Sequence, residues 1–143
     1  MHGYIVKQTV RLLEERQLNP KDSHTGFRVG VFGLTFKGDC PDIRESQPLK
    51  IVQELESSGF QPMVHDPLAN AEDVWSRHGI RLLPLEDLKD LSAIIVTVPH
   101  RQFTELTPAC FKTLMHPHAP IVDVSGIYNV MDFAEAGLYV WQL

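Results

Sequence analysis

Cysteine is nearly absent from this chain, with two residues, Cys40 and Cys110, in 143. They lie far apart and show neither the spacing of a metal site nor the count of a disulfide framework, so both read as free thiols. No stretch of about eighteen apolar residues is present to span a bilayer. No charged segment followed by an apolar one opens the chain, so nothing directs it out of the cytoplasm. Lys and Arg do not cluster and the formal charge is −5, which excludes a surface that takes its affinity from nucleic-acid phosphates and a polybasic membrane patch. Internal repeats and low-complexity segments are missing. The backbone phosphate fingerprints are missing too. After Gly33 the next glycine is Gly38, which breaks G-x-G-x-x-G, and Gly38 is followed by Asp39 and Cys40, which excludes a P-loop.

What is there is enough for one ordinary domain, with 43% hydrophobic residues to build a core. Gly3 to Gln17 mixes Tyr4, Ile5, Val10, Leu12 and Leu13 with charges at helical spacing and predicts an amphipathic helix. A helix starting abruptly at Met1-His2-Gly3 ahead of an α/β unit is expected of a chain cut from something larger or carrying an added Met. A polar stretch, residues 19–26, reads as a linker, and the domain proper is expected over 27–143. Val29 to Leu34 suits a strand buried on both faces. Pro48 fits only a first helical turn, so Ser46 is the expected N-cap of a helix from Gln47 to Ser58, ended by Gly59. Further on, the pattern predicts strands at Gln61–His65, Ile80–Leu83, Ala93–Val98, Ile121–Val124 and Leu138–Trp141. Helices are expected at Ala71–Arg77, Leu85–Asp90 and Thr104–Leu114. Strands alternating with helices give an α/β, Rossmann-like three-layer sandwich with a mostly parallel sheet, preceded by one helix.

The densest chemistry lies between the first strand and its helix. Lys37, Asp39, Asp42, Arg44 and Glu45 fall together in RVGVFGLTFKGDCPDIRES, residues 28–46. In parallel sheets ligands bind beyond the carboxyl ends of strands, so Lys37, a flexible point charge, and Arg44, a planar fork, are placed to recognise phosphates or polar ligand groups. The plainer reading is a surface loop whose charges pair among themselves. Asp39, Asp42 and Glu45 have the composition of a metal cluster, yet they fit better as helix-capping groups that balance Lys37 and Arg44.

The string FGLTFKGDCPDIRES, with VHDP at the next strand end and IVDVSGIYN further on, resembles the C-terminal, UDP-binding domain of the UDP-glucose/GDP-mannose dehydrogenase family. The likeness covers nearly the whole chain, since MHGYIVKQTVRLLE is similar to the end of that family's central helix. It implies a part of an NAD-dependent UDP-sugar 6-dehydrogenase, which oxidises a sugar C6 alcohol to a carboxylate while reducing two NAD. Residues 1–18 would be the end of a linking and dimerisation helix. Phe36 and Lys37 would contact the UDP-sugar, Arg44 would reach NAD held mainly by another domain, and the Cys40-Pro41-Asp42 form leans to the UDP-N-acetylhexosamine branch. Many members carry a basic residue after the IVDV strand where this chain has Ser125, whose hydroxyl can still donate to a phosphate; Tyr128 and Asn129 are expected to line the same pocket. No catalytic residue is assigned, because the family's catalytic cysteine belongs to a separate glycine-rich motif that these residues do not contain. Cys40 is then a packing residue. The implied partners are a UDP-sugar and a second copy in a homodimer or higher oligomer, with a role in polysaccharide biosynthesis and no metal.

Three features of the sequence invite a role and receive a plainer reading. Asp66 ends the second strand, where dinucleotide-binding folds put a ribose-binding acid, but with Pro67 next it reads as a turn former. His116-Pro117-His118 is too short and isolated for zinc. Ala93–Val98 ends without the acid of a phosphoacceptor receiver. A non-catalytic nucleotide-binding regulatory or scaffolding module is the alternative to the dehydrogenase reading, since it would share the fold.

Overall fold

The computed structural model describes residues 2–16, 27–35, 37–43 and 47–143. The expected linker at 19–26 and the Ser46 cap lie outside them. In chain order the elements are α1 (His2–Glu15), β1 (Arg28–Phe32), α2 (Gln47–Ser57), β2 (Gln61–His65), α3 (Ala71–His78), β3 (Ala93–Val96), α4 (Arg101–Thr104), α5 (Pro108–Leu114), β4 (Pro120–Asp123), α6 (Val130–Glu135) and β5 (Tyr139–Gln142). The five strands form one sheet in the order β2-β1-β3-β4-β5, and every pairing is parallel.

Alternate residues of each strand serve opposite faces, as the pleat requires. Val29 and Val31 of β1, Ala93 and Ile95 of β3 and Val122 of β4 join one core with Ile5, Leu12 and Leu13 of α1 and Ile51, Val52 and Leu55 of α2. Phe32, Ile94, Val96 and Ile121 join the other, with Phe103 of α4, Phe111 and Leu114 of α5 and Phe133 of α6. The central strands β1, β3 and β4 are buried on both faces, which is why they read as unbroken apolar runs. Helix α1 packs against α2 and over β4, and Tyr4 meets Trp141 with ring centroids 6.2 Å apart. The first helix is part of the sheet's own core.

Several segments differ from expectation, each for a local reason. The expected helix Thr104–Leu114 is two helices. Pro108 removes a donor N–H and restarts the chain at a first helical position, with the Thr107 side chain capping the Cys110 amide. The helix expected over Leu85–Asp90 is one turn of 3-10 helix, Leu85–Asp87, ended by extended backbone at Leu88. Ile80–Leu83 is not a strand; it contributes a single bridge, Val64 to Leu82. Strand β3 stops at Val96 because Thr97 and Val98 already turn into a loop. Helix α6 was not expected, since Phe133 is its one buried residue and gives no periodic stripe. Its legible signal was Asn129, whose side chain accepts from the amides of Met131 and Asp132.

Candidate functional site

In the order β2-β1-β3-β4-β5 the chain leaves β1 toward one edge and β3 toward the other, so a crevice opens between the carboxyl ends of these two strands. The two exits are bound to each other atom by atom. Gly33 has φ of 104°, and a Cβ there would lie 2.6 Å from Val98 Cγ2 and 2.7 Å from Thr97 Oγ1. A side chain at this position would be both strained and overlapping. The Thr97 hydroxyl lies 2.7 Å from the Gly33 carbonyl and 3.0 Å from that of Phe32, donating across the gap.

Beyond this point the β1 loop rests on the β3 loop. Thr35 Oγ1 donates to the Lys37 carbonyl at 2.9 Å. A Cβ on Gly38 would sit 2.8 Å from Pro99 Cγ and 3.0 Å from the Pro99 carbonyl oxygen, so glycine permits that approach. Asp39, at φ of 55°, donates its amide to His100 Nδ1 at 3.0 Å and accepts the Arg101 amide on Oδ1 at 2.8 Å. The Lys37 side chain is exposed, with its own carbonyl and the Asp39 amide held by these bonds. Among its predicted companions, Phe36 and Arg44 lie outside the described residues.

Asp66 is the floor of this arrangement. Its Oδ2 accepts the Leu34 amide at 2.7 Å and faces His100 Nε2 at 3.0 Å, while Oδ1 accepts the amides of Leu68 and Ala69. Burial works to raise its pKa, but the hydrogen bonds from His100, Leu34, Leu68 and Ala69 together outweigh it and hold the carboxyl below the ordinary carboxylate value. The turn-forming reading of Asp66 is what the geometry shows. Both oxygens are committed to protein donors, so Asp66 cannot also serve a dinucleotide ribose. With no glycine fingerprint on β1 either, these residues do not fit NAD as a resident group.

Asp123 plays the same part at the end of β4. Its Oδ1 accepts the amides of Gly126 and Ile127, and its Oδ2 accepts the Tyr128 amide and Gln142 Nε2. This sets the loop that carries Ser125, an exposed residue whose hydroxyl donates to the Thr97 carbonyl at 3.3 Å. Ser125 therefore sits beside the β3 exit. The expectation that Tyr128 lines the pocket is not met. Tyr128 is buried, its hydroxyl donates to the Phe103 carbonyl at 2.6 Å, and burial with the nearby Asp123 charge pushes its pKa up; Asn129 is spent on capping α6.

Cys40 and Cys110 are free and half-buried, and burial raises the Cys110 thiol. Among the described residues no cluster of His, Cys, Asp or Glu could hold a metal ion, and Asp39 is occupied by Arg101. Sequence reasoning did not single out His100. It is one imidazole at the exit of an apolar strand, and its partners come from loops more than thirty residues away in the chain.

The profile of the UDP-glucose/GDP-mannose dehydrogenase family, UDP binding domain, matches residues 30–130. A UDP-N-acetyl-D-glucosamine 6-dehydrogenase of Pseudomonas aeruginosa is 34% identical over 106 residues, 74% of this chain and 24% of that protein. Protein CapL of Staphylococcus aureus is 28% identical over the whole chain, which spans 32% of it. The structure of an NDP-N-acetyl-D-galactosaminuronic acid dehydrogenase from Methanosarcina mazei Go1 superposes with a TM-score of 0.84 at 21% identity, over 99% of this chain and 29% of that one. The UDP-N-acetyl-mannosamine dehydrogenase Cap5O of S. aureus gives 0.72 at 25% identity, over 98% and 30%. The chain thus spans about a quarter to a third of the proteins it matches. With its parallel sheet and the loops at its carboxyl edge, the chain belongs to the UDP-glucose/GDP-mannose dehydrogenase family through that family's UDP binding domain.

Proposed function

We propose that this chain is the nucleotide-sugar-binding part of an NAD-dependent UDP-sugar 6-dehydrogenase, and that its own contribution is to hold the substrate. The observation that carries the reading is the exposed Lys37 ammonium, presented at the switch point by a residue whose carbonyl is held by Thr35 and whose loop is held again at the Asp39 amide. A cation held on a fixed loop reaches a diphosphate or sugar hydroxyl without first ordering its own backbone. Phe36 would lie against the sugar. Ser125 would contribute by exchanging its hydrogen bond to Thr97 for one to the ligand. Arg44 would face the cofactor side.

NAD in this reading is held mainly outside these 143 residues, in keeping with the commitment of Asp66. The sugar is a UDP-N-acetylhexosamine, supported by Cys40-Pro41-Asp42 and by the names of the relatives. Residues 1–18 would end a linking helix through which two copies pair, 19–26 would be a linker, and the enzyme would act in the cytoplasm in polysaccharide biosynthesis. In the described residues no helix is long and apolar enough to cross a membrane.

A calorimetric titration of the chain with UDP, beside Lys37→Ala, tests the reading. A charge-assisted hydrogen bond contributes about 1.5–3 kcal/mol, so the variant should bind about tenfold or more weakly. Equal affinity in the two proteins would remove Lys37 from the site.

A further inference from the structure

His100 is fully buried and touches the exits of all three neighbouring strands. Its Nε2 lies 3.0 Å from Asp66 Oδ2 after β2 and 3.2 Å from Thr35 Oγ1 after β1, and its Nδ1 is 3.0 Å from the Asp39 amide. These contacts determine the tautomer. A backbone N–H can only donate, so Nδ1 carries no proton in this geometry and the single ring proton is on Nε2. Asp66, fixed by three backbone amides, attracts that proton and leaves Nδ1 as an acceptor. Phe103, 5.2 Å away between centroids, holds the ring plane.

The distribution of these bonds along the β1 loop is what gives them meaning. Thr35, in contact with Nε2, donates to the Lys37 carbonyl, and Asp39, two residues past Lys37, donates to Nδ1. Between them Gly38 lies on Pro99, the residue preceding His100. An aliphatic residue would fill the same volume without either bond. We propose that His100 is the positioning residue of the nucleotide-sugar loop: its Nδ1 fixes the Asp39 amide and thereby the place at which Lys37 presents its ammonium to the ligand. The proposal rests on the reading of Lys37 given above. It assigns to His100 no contact with substrate.

Two conservative variants separate the two ring nitrogens. In His100→Asn the side-chain oxygen takes roughly the place of Nδ1, keeping an acceptor for Asp39 and losing the donor to Asp66. In His100→Gln the amide nitrogen reaches roughly the place of Nε2, keeping the donor and losing the acceptor. Both are made in the full chain and compared by UDP titration, by hydrogen exchange of the Asp39 amide and by thermal unfolding. His100→Asn should keep Asp39 protected and UDP affinity near that of the unmodified chain. His100→Gln should lose the protection and bind UDP about tenfold more weakly, the order expected for a misplaced charged donor.

Losses that merely follow the drop in stability of each variant, or wild-type affinity in His100→Gln, would overturn the proposal. If Lys37→Ala binds UDP as the wild type does, the reading of Lys37 fails. Asp39 protection, lost in His100→Gln and kept in His100→Asn, still reports the clamp separately. Should either variant not fold, the nitrogen-15 shifts of His100 in the unmodified chain decide. An unprotonated Nδ1 is required, and a proton found there would refute the clamp.

Discussion

Two residues of this domain, Asp66 and Gly38, show how single positions at the carboxyl edge are held to one choice. Asp66 accepts three backbone amides and faces His100. Asparagine would keep the shape but turn an N–H toward one pair of donors, and Asp66→Asn should destabilise the domain on the order of 3 kcal/mol, measured by urea denaturation. The pH dependence has a definite sign. The folded carboxyl lies below its ordinary value of 3.8, so its stabilisation is fully present above that value and is lost as pH falls through the lower, folded value. Unfolding midpoints taken from about pH 5 downward should fall more steeply in the wild type than in Asp66→Asn. Gly38→Ala places a methyl group within 3.0 Å of the Pro99 backbone oxygen. The loop must shift, at about 1–3 kcal/mol, and UDP affinity should fall even where calorimetry shows the variant folded.

At the scale of elements, local pattern and tertiary contact divide the account. Strand β2 matched expectation residue for residue because Gln61–His65 is bounded by Gly59 and by Asp66-Pro67, punctuation carried by the sequence itself. Central strands β1, β3 and β4 were legible as short apolar runs, since burial on both faces leaves no place for polar residues. The break between α4 and α5 was written in Thr107-Pro108, across which the expected helix Thr104–Leu114 runs. Lys37 was legible as a charge at a strand end. His100 was not, because its role depends on Asp66 and Asp39, which topology brings to it. Helix α1 reads as an amphipathic segment, but only the structure shows that it closes the α2 face of the sheet. Leu13 is fully buried there, so Leu13→Ala should cost about 2–5 kcal/mol in chemical denaturation, as for a residue of the sheet core.

For the whole molecule, the strand order is one that flavodoxins and receiver domains also use, and fold alone would not choose among their functions. The choice comes from what each strand exit carries. A receiver needs an acid after β3, and this chain has Thr97, whose hydroxyl is spent on the β1 exit. A dinucleotide site needs a free acid after β2, and Asp66 is committed. Among the described residues at these exits Lys37 and Ser125 are exposed, and in the proposed reading they face a nucleotide sugar while the redox step belongs to other parts of the enzyme. The chain by itself should therefore reduce no NAD in the presence of a UDP-sugar, followed by absorbance.

The most direct measurement of that claim is a map of backbone amide shifts as UDP is added to nitrogen-15-labelled protein. Shifts should concentrate at Lys37–Cys40, Thr97–Arg101 and Ser125–Gly126 and saturate together. Shifts confined to another surface, such as the cavity beside the β2 edge lined by Phe60, Met63 and Arg81, or none at saturating UDP, would contradict it.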